Sequence, residues 1–425
     1  MSKGRAKAPT LWMTTVCKAL ITEITGMRRV TVCQCVILLE RPVASALPVS
    51  LMSCAGRPFL AWLLRELQRF GVKEFVFLTE AHSSEIVAAI EGLLVFLPKP
   101  AGMLISYTPC GYGTGGALLH ARQHLQERFL FCHANVLFSC NLSHFLRSAG
   151  QGHWLLLSTV RQADVDVTAA DKVSLNSENG KDREIAPGMT GVCLFEASIL
   201  ETLTKNCSLQ DDVLPGLARH GDLNGVRLAG TCHQVSDLHD LEKVGRQLPR
   251  ILHRPAVFLD RDGVINRDFG WVGTRERFEW EPGALDAIAR ITEAGYHVFI
   301  VTNQSGIARG FYSEEDLQQL MVWVIDTIRQ HGGTVDDWRY CPMHPEARVE
   351  EYCGASEDRK PAPGMIVDLL NRWELDPDRC VLFGDQPSDM QAARAAGIEG
   401  MPVGVRSLSD LIVGKDILEI EAFSE

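Results

Sequence analysis

The run Ala256-Val257-Phe258-Leu259 is apolar at every position and ends in Asp260-Arg261-Asp262-Gly263. A short unbroken apolar run bounded by charge fits a strand buried on both faces, as found where helices cover a parallel sheet. The two carboxylates, two positions apart, leave the strand end on the same side of the chain. Gly263 then permits a sharp turn. Ligands of open α/β sheets bind at the carboxyl ends of the strands. This one segment therefore constrains both the fold and the place where chemistry can occur.

The rest of the chain repeats the pattern. Short apolar strands alternate with amphipathic helices in both halves, which predicts an α/β fold with two domains, each a mostly parallel sheet flanked by helices. In the first half, strands are expected at 33–39, 75–79, 103–107, 129–133 and 154–159. Leu60, Leu63, Leu64 and Leu67 recur at helical spacing before Gly71. The polar, turn-rich stretch 165–187 reads as an excursion or a hairpin. In the second half, strands are expected at 256–259, 297–301, ending near Cys341, and at 380–383. Ser313 and Asp316 have capping-box spacing, and Leu317, Leu320, Met321, Val324 and Ile328 form one apolar stripe.

These signals divide the chain into a tail or over-extended start at 1–32, a first domain at 33–245, a linker at 246–255 and a second domain at 256–425. Pro249, Pro255 and several arginines mark the linker. A length of 425 residues agrees with two domains. With 42 basic and 53 acidic residues, the net charge of −11 argues against general binding to nucleic acid or an anionic membrane. No stretch has the roughly 18–20 apolar residues a membrane span needs, and the start has no clean signal peptide. Thirteen irregularly spaced cysteines, an odd number, fit buried free thiols in a reducing cytoplasm. Oligomeric state is not legible.

Three further segments turn the acid pair into a site. Thr302-Asn303-Gln304-Ser305-Gly306 ends an apolar strand with a hydroxyl and amides. Arg359-Lys360-Pro361 supplies cations before a helix. Gly384-Asp385-Gln386-Pro387-Ser388-Asp389 ends the last core strand with two more carboxylates. Carboxylates hold a hard cation such as Mg²⁺. One of them can attack phosphorus while its neighbour handles the leaving-group proton. Thr302 and Lys360 can neutralise the equatorial oxygens. Acid pair, hydroxyl, lysine and acid pair make a complete phosphoryl-transfer set.

In this order the four motifs resemble the haloacid-dehalogenase superfamily of phosphatases. Phe258–Asn266, Asp268–Val272, Thr302–Gly310 and Arg359–Met365 most closely resemble the D-glycero-D-manno-heptose 1,7-bisphosphate phosphatase family, over roughly residues 256–405. The resemblance implies a Mg²⁺-dependent phosphatase that removes the 7-phosphate through an aspartyl-phosphate, in nucleotide-activated heptose synthesis. It casts Asp260 as nucleophile and Asp262 as general acid/base, with Thr302 and Lys360 stabilising the phosphoryl group. Mg²⁺ would be held by Asp260, Asp385 and the main-chain carbonyl of Asp262. The substrate, a small sugar phosphate, would be lined by Asp268, Phe269, Gly270, Trp271, Asn303, Gln304, Ser305 and Arg359. Gln386 stands where the family usually has a lysine. No long insertion follows Asp262 or Thr302, so the domain is expected to be capless. The family's structural zinc ligands are replaced by Met343, Ser356 and Asp358, and only Cys341 remains, so no zinc is expected. A phosphatase acting on histidinol phosphate or another small phosphate ester stays open as an alternative, and the anomer of the heptose is not legible.

In the first half, Pro58–Gly71, Tyr112–Leu118 and Asp211–Pro215 resemble the sugar-phosphate nucleotidyltransferases. The family's nucleotide loop is replaced by Leu39-Glu40-Arg41-Pro42-Val43-Ala44, and its two metal-binding aspartates by Asn135 and Gln234. The expectation is an inactive nucleotidyltransferase-like domain. A binding or scaffold module and an active heptose 1-phosphate nucleotidyltransferase are its alternatives.

Overall fold

A computed structural model of the chain describes residues 32–39, 47–80, 84–159, 165–168, 170–175, 189–252, 254–404 and 407–414. The expected tail and most of the altered nucleotide loop lie outside these residues.

Each half builds one large sheet. The first has seven strands in the order Leu223–Leu228, His153–Ser158, Met189–Glu196, Arg128–His133, Gln34–Leu38, Glu74–Thr79 and Gly102–Tyr107. All neighbouring pairs are parallel except those made by Met189–Glu196, which runs against both its neighbours. The five expected strands are present; Met189–Glu196 and Leu223–Leu228 are additions. Within the polar stretch, Val165–Val167 pairs antiparallel with Val173–Leu175, so this part is a hairpin.

The second sheet has five parallel strands in the order Asp337–Cys341, His297–Asn303, Ala256–Leu259, Cys380–Gly384 and Glu399–Pro402. Numbered along the chain, that order is 3-2-1-4-5. It reverses between Ala256–Leu259 and Cys380–Gly384, and a crevice opens at such a reversal. Every residue of Ala256–Leu259 is buried, as its apolar run requires. Helix Glu314–Gln330 begins with the expected capping box between Ser313 and Asp316, and its whole apolar stripe is buried.

Helix Leu238–Leu252 runs through most of the expected linker, because Leu241, Val244, Leu248 and Leu252 make one buried stripe against the first core. That stripe overrides the breaker signal of the prolines.

The two halves meet over a charged, buried contact. Helix Phe59–Arg69 is buried along its entire length. Its leucines face its own sheet, and Arg65, Glu66 and Arg69 face the second half. Arg69 Nε lies 2.7 Å from Asp336 Oδ1, and Arg69 also donates to the carbonyl of Tyr296 at 2.8 Å. Glu66 Oε2 is 2.6 Å from Arg254. Thr334 donates to the carbonyl of Arg69, and Lys99 Nζ to that of Asp336. Arg254, His297 and Asp336 all belong to the amino ends of the second sheet's strands. Among the described residues, no helix is long and apolar enough to cross a membrane.

Candidate active site

The carboxyl ends of three adjacent strands converge. Asp260 follows Ala256–Leu259, Thr302 lies near the end of His297–Asn303, and Asp385 follows Cys380–Gly384. Lys360 reaches in from the loop before helix Gly364–Trp373. Its ammonium is 2.9 Å from Asp260 Oδ1 and 2.6 Å from Asp389 Oδ1, and it donates to the carbonyl of Val301 at 3.0 Å. Lys360 is 3% exposed, Asp260 7% and Asp389 0%. Burial pushes the Asp260 carboxyl up to about 7, against the opposing pull of Lys360. Lys360 itself is raised: burial disfavours its charge, but the Asp260 and Asp389 carboxylates more than compensate.

Asp260, Asp385 and Asp389 bring carboxylate oxygens within 4.8 Å of one another. Among the described residues this is the one such cluster able to hold a metal ion. Three carboxylates face a single ammonium, and Asp385 Oδ1 is buried without a hydrogen-bond partner. An all-oxygen set with net negative charge suits a hard divalent cation. Gly263 (φ +83°) makes this approach possible, since a Cβ there would stand 2.5 Å from Asp385 Oδ2. Gln386 donates its side-chain amide to Asp385 Oδ2 at 2.7 Å, and its backbone amide to Asp389 Oδ2 at 2.9 Å.

Asp262 is held by three neighbours. The Arg261 guanidinium, fully buried, lies 2.9 Å from both carboxylate oxygens. Asn266 Nδ2 and Gln304 Nε2 each donate to it at 2.9 Å. Arg261 also donates to the carbonyl of Val272, tying the acid pair to the 268–272 loop.

The expected substrate residues divide into two groups. Asp268, Phe269, Gly270 and Trp271 form an outer lip in which Phe269 and Trp271 are exposed. The Trp271 ring packs 4.8 Å from that of Phe311, with the Arg309 guanidinium over it. Arg277 donates to the carbonyls of Phe269 and Gly270, fixing the loop from outside. Arg359 donates to the carbonyl of Met343 at 3.1 Å, and Ser305 begins the short helix Ser305–Ala308 after the Thr302 strand. Asn303 and Gln304, by contrast, spend their side chains on protein groups. Asn303 clasps the Lys360 backbone through both amide atoms, and Gln304 is 1% exposed.

Arg261, Asn266 and Tyr312 were not singled out from sequence, and Asp389 was read only as the second carboxylate of the Gly384–Asp389 segment, with no role of its own. Asp389 carried a signal, because it stands at capping-box spacing from Gln386 beside Asp385. The cysteine loop gathers no comparable cluster: Cys341 is buried, Cys353 is exposed, and His344 Nδ1 accepts from the Glu346 amide at 3.0 Å.

In the first half, Asn135 and Gln234 lie close together, since Cys232–Gln234 pairs with Val136–Phe138 and the Val235 amide donates to the carbonyl of Asn135. The glycine turn is filled by protein. The amides of Gly113 and Gly115 donate to the carbonyls of Lys205 and Cys207 at 3.2 and 2.9 Å. A Cβ at Gly113 or Gly116 would strike those carbonyls at 2.2 and 1.8 Å.

Comparison with known proteins places this geometry. A family model described as HAD-hydrolase-like matches residues 358–411. The D-glycero-beta-D-manno-heptose-1,7-bisphosphate 7-phosphatase of Rhodopseudomonas palustris is 48% identical over 168 residues, which is 40% of this chain and 93% of that protein. The crystal structure of D,D-heptose 1.7-bisphosphate phosphatase from B. bronchiseptica, complexed with magnesium and phosphate, is 32% identical with a TM-score of 0.34, covering 38% of this chain and 97% of that one. The inositol-1-phosphate CTP transferase of T. maritima is 17% identical with a TM-score of 0.42, covering 52% of this chain and 96% of that one.

Proposed function

Because the chain belongs, through its second half, to the D-glycero-D-manno-heptose-1,7-bisphosphate 7-phosphatases of the haloacid-dehalogenase type, which are phosphoric monoester hydrolases, we propose that it removes the 7-phosphate of that sugar bisphosphate. The observation that carries this reading is the buried meeting of Asp260, Lys360, Asp385 and Asp389 at the strand-order reversal. Asp260 attacks phosphorus, so that an Asp260–phosphorus bond forms as the ester phosphorus–oxygen bond breaks. Asp262 gives its proton to the departing sugar oxygen. Water then attacks the aspartyl-phosphate, Asp262 takes the water's proton, and Asp260 is regenerated as inorganic phosphate leaves.

Lys360 and Thr302 hold the equatorial oxygens, and Asp389 keeps the Lys360 ammonium in place. Asp260, Asp385 and the main-chain carbonyl of Asp262 would hold Mg²⁺, with Asp389 beside them. When bound, Mg²⁺ offsets the repulsion between the phosphate and these carboxylates. The exposed lip from Asp268 to Trp271, with Ser305 and Arg359, receives the sugar. The reading assigns no structural zinc, since Met343, Ser356 and Asp358 stand at three of the four ligand positions that the resemblance implies, and none of them offers a thiolate or an imidazole. It places the enzyme in the cytoplasm, where such precursors are made and where thiols stay reduced.

The first half is read as non-catalytic. The Gly113 and Gly115 amides of its glycine turn are already taken by carbonyls, and the neutral Asn135 and Gln234 bring no charge to a divalent ion.

The test is phosphate release by purified protein with Mg²⁺, against both anomers of the heptose bisphosphate and against histidinol phosphate. Asp260→Asn is expected to abolish release and Asp262→Asn to come close. Substantial turnover by Asp260→Asn would defeat the covalent route. A clear preference for histidinol phosphate would defeat the substrate assignment.

A further inference from the structure

The Tyr312 hydroxyl ends a chain of hydrogen bonds that reaches two of the groups cast in the reaction. Tyr312 OH donates to Gln304 Oε1 at 2.6 Å. The other end of that amide, Gln304 Nε2, donates to Asp262 Oδ2 at 2.9 Å and to Thr302 Oγ1 at 2.8 Å. A primary amide has two donor hydrogens on one atom and acceptor lone pairs on the other. With its oxygen held by a phenol, the amide must turn its nitrogen toward the carboxylate and the hydroxyl. The flipped amide would aim an oxygen at the Asp262 carboxylate.

The surroundings of the ring fix this arrangement. A Cβ at Gly273 would fall 2.1 Å from Tyr312 Cγ, and one at Gly306 would fall 2.2 Å from Tyr312 Cε1. Two glycines, one just after the lip loop and one just after the Thr302 strand, thus leave a slot that the ring fills. Burial pushes the phenol up to about 12, so it remains a donor throughout the physiological range.

We propose that Tyr312 is a positioning residue, acting through Gln304 to set the spacing between the proton-donating carboxyl of Asp262 and the phosphoryl-holding hydroxyl of Thr302. Arg261 and Asn266 also hold Asp262, but Gln304 bonds both members of the pair at once. The inference rests on the reading of Asp262 as proton donor. The consequence concerns one step. As the phosphorus–oxygen bond of an alkyl ester breaks, the leaving alkoxide needs the Asp262 proton in place. A nitrophenolate leaves without that help. Loosening the Asp262–Thr302 spacing therefore slows alkyl esters selectively.

The experiment compares Tyr312→Phe with wild type on two substrates: the sugar phosphate that wild type hydrolyses fastest, and p-nitrophenyl phosphate. General acid–base catalysis contributes about 10²–10⁴-fold, so partial misplacement of the acid is expected to lower kcat on the sugar phosphate about tenfold more than on the aryl phosphate, with KM little changed. Gln304→Met is expected to show the same selectivity, and the double variant no further loss, since both changes break one chain. Equal loss on both substrates, or no loss on the sugar phosphate in a variant that unfolds at the wild-type temperature, would overturn the proposal. Selectivity in Gln304→Met but not in Tyr312→Phe would remove Tyr312 from the chain. Failure of wild type on heptose bisphosphate would count against the proposed function alone, because the alkyl–aryl comparison would still run on another sugar phosphate.

Discussion

Replacing Arg69 by leucine takes the central cation out of the contact between the two halves. The Arg69 side chain is 2% exposed, and those of Asp336 and Glu66 are 0% and 3% exposed. Leucine supplies no donor to Asp336 Oδ1 or to the Tyr296 carbonyl. Asp336 keeps the Val298 amide at 2.6 Å, and Glu66 keeps Arg254. Removing one partner of a buried ion pair costs about 3–5 kcal/mol, because the other charge stays buried. For a chain of this size that lowers the unfolding midpoint by roughly 5–15 °C. The assay is urea and thermal unfolding of the full chain, with kcat for phosphate release measured below the transition. kcat is expected to hold.

The pH dependence adds a second readout. Burial would raise the Asp336 carboxyl, but Arg69, then His297 and the Val298 amide, overcome it and hold the carboxyl well below the usual carboxylate range. A depressed carboxyl pKa contributes stability above the unfolded value of about 4 and loses it as pH falls toward the folded value. The gap between wild type and Arg69→Leu is therefore expected to narrow below about pH 4. Adding Asp336→Asn to Arg69→Leu is expected to restore part of the loss, because the buried charge disappears with its partner. A cost below about 1 kcal/mol, or simple additivity of the two changes, would refute the argument.

Two further outcomes are expected. His133 lines a cavity with Phe131, Cys193, Phe195, Leu209 and Leu214, and burial lowers its imidazole to about 4. Its stabilising neutrality is complete above the unfolded pKa of about 6.5 and lost as pH falls toward the folded value, about 2 kcal/mol of it by pH 5. His133→Gln is expected to flatten the loss of unfolding free energy between pH 7 and 5, and an unchanged slope would refute this. No pyrophosphate is expected from any nucleoside triphosphate with heptose 1-phosphate and Mg²⁺; release that survives purification and disappears on Asn135→Ala would mark the first half as an active transferase.

The convergence of the strand ends at the candidate site was legible because a short apolar run followed by charge is a local signal, and because chain order in a parallel sheet carries such ends to one edge. Asp260, Thr302 and Asp385 needed nothing more. Strand Glu399–Pro402 was illegible, since Glu-Gly-Met-Pro has no strand pattern and becomes one through pairing with Cys380–Gly384. Met189–Glu196 and Leu223–Leu228 were obscured by glycines at 191 and 225 and by polar residues on either side. Gly225 is itself a packing requirement, since a Cβ there would meet Val173 at 2.8 Å. The resemblance casts Gln304 as lining the substrate, and its side chain is bonded to Asp262, Thr302 and Tyr312. Its partner Tyr312 is eight residues away, and the slot that holds Tyr312 is made by two glycines far apart in the chain, Gly273 after the lip loop and Gly306 in helix Ser305–Ala308. Neither relation leaves a trace in local sequence.

The two ends of the second sheet serve different purposes, and this separation decides what each perturbation can reach. Arg254 and Asp260 belong to one extended run around Ala256–Leu259, so the ion network and the proposed nucleophile stand roughly 20 Å apart at about 3.3 Å per residue. His297 and Thr302 mark the same two ends on the neighbouring strand. The first half grips the amino ends through Arg69, Glu66 and Lys99, while the carboxyl ends face the exposed lip of Phe269 and Trp271. A first half docked there can stiffen the base of the sheet, but it is on the wrong edge to close over the substrate. Loss of Arg69 should therefore reduce stability and spare kcat, while loss of the Tyr312 hydroxyl should spare stability and reduce kcat on alkyl esters. If both variants altered both quantities, the strands would be transmitting strain from end to end, and the first half would be a participant in the reaction rather than a platform for it.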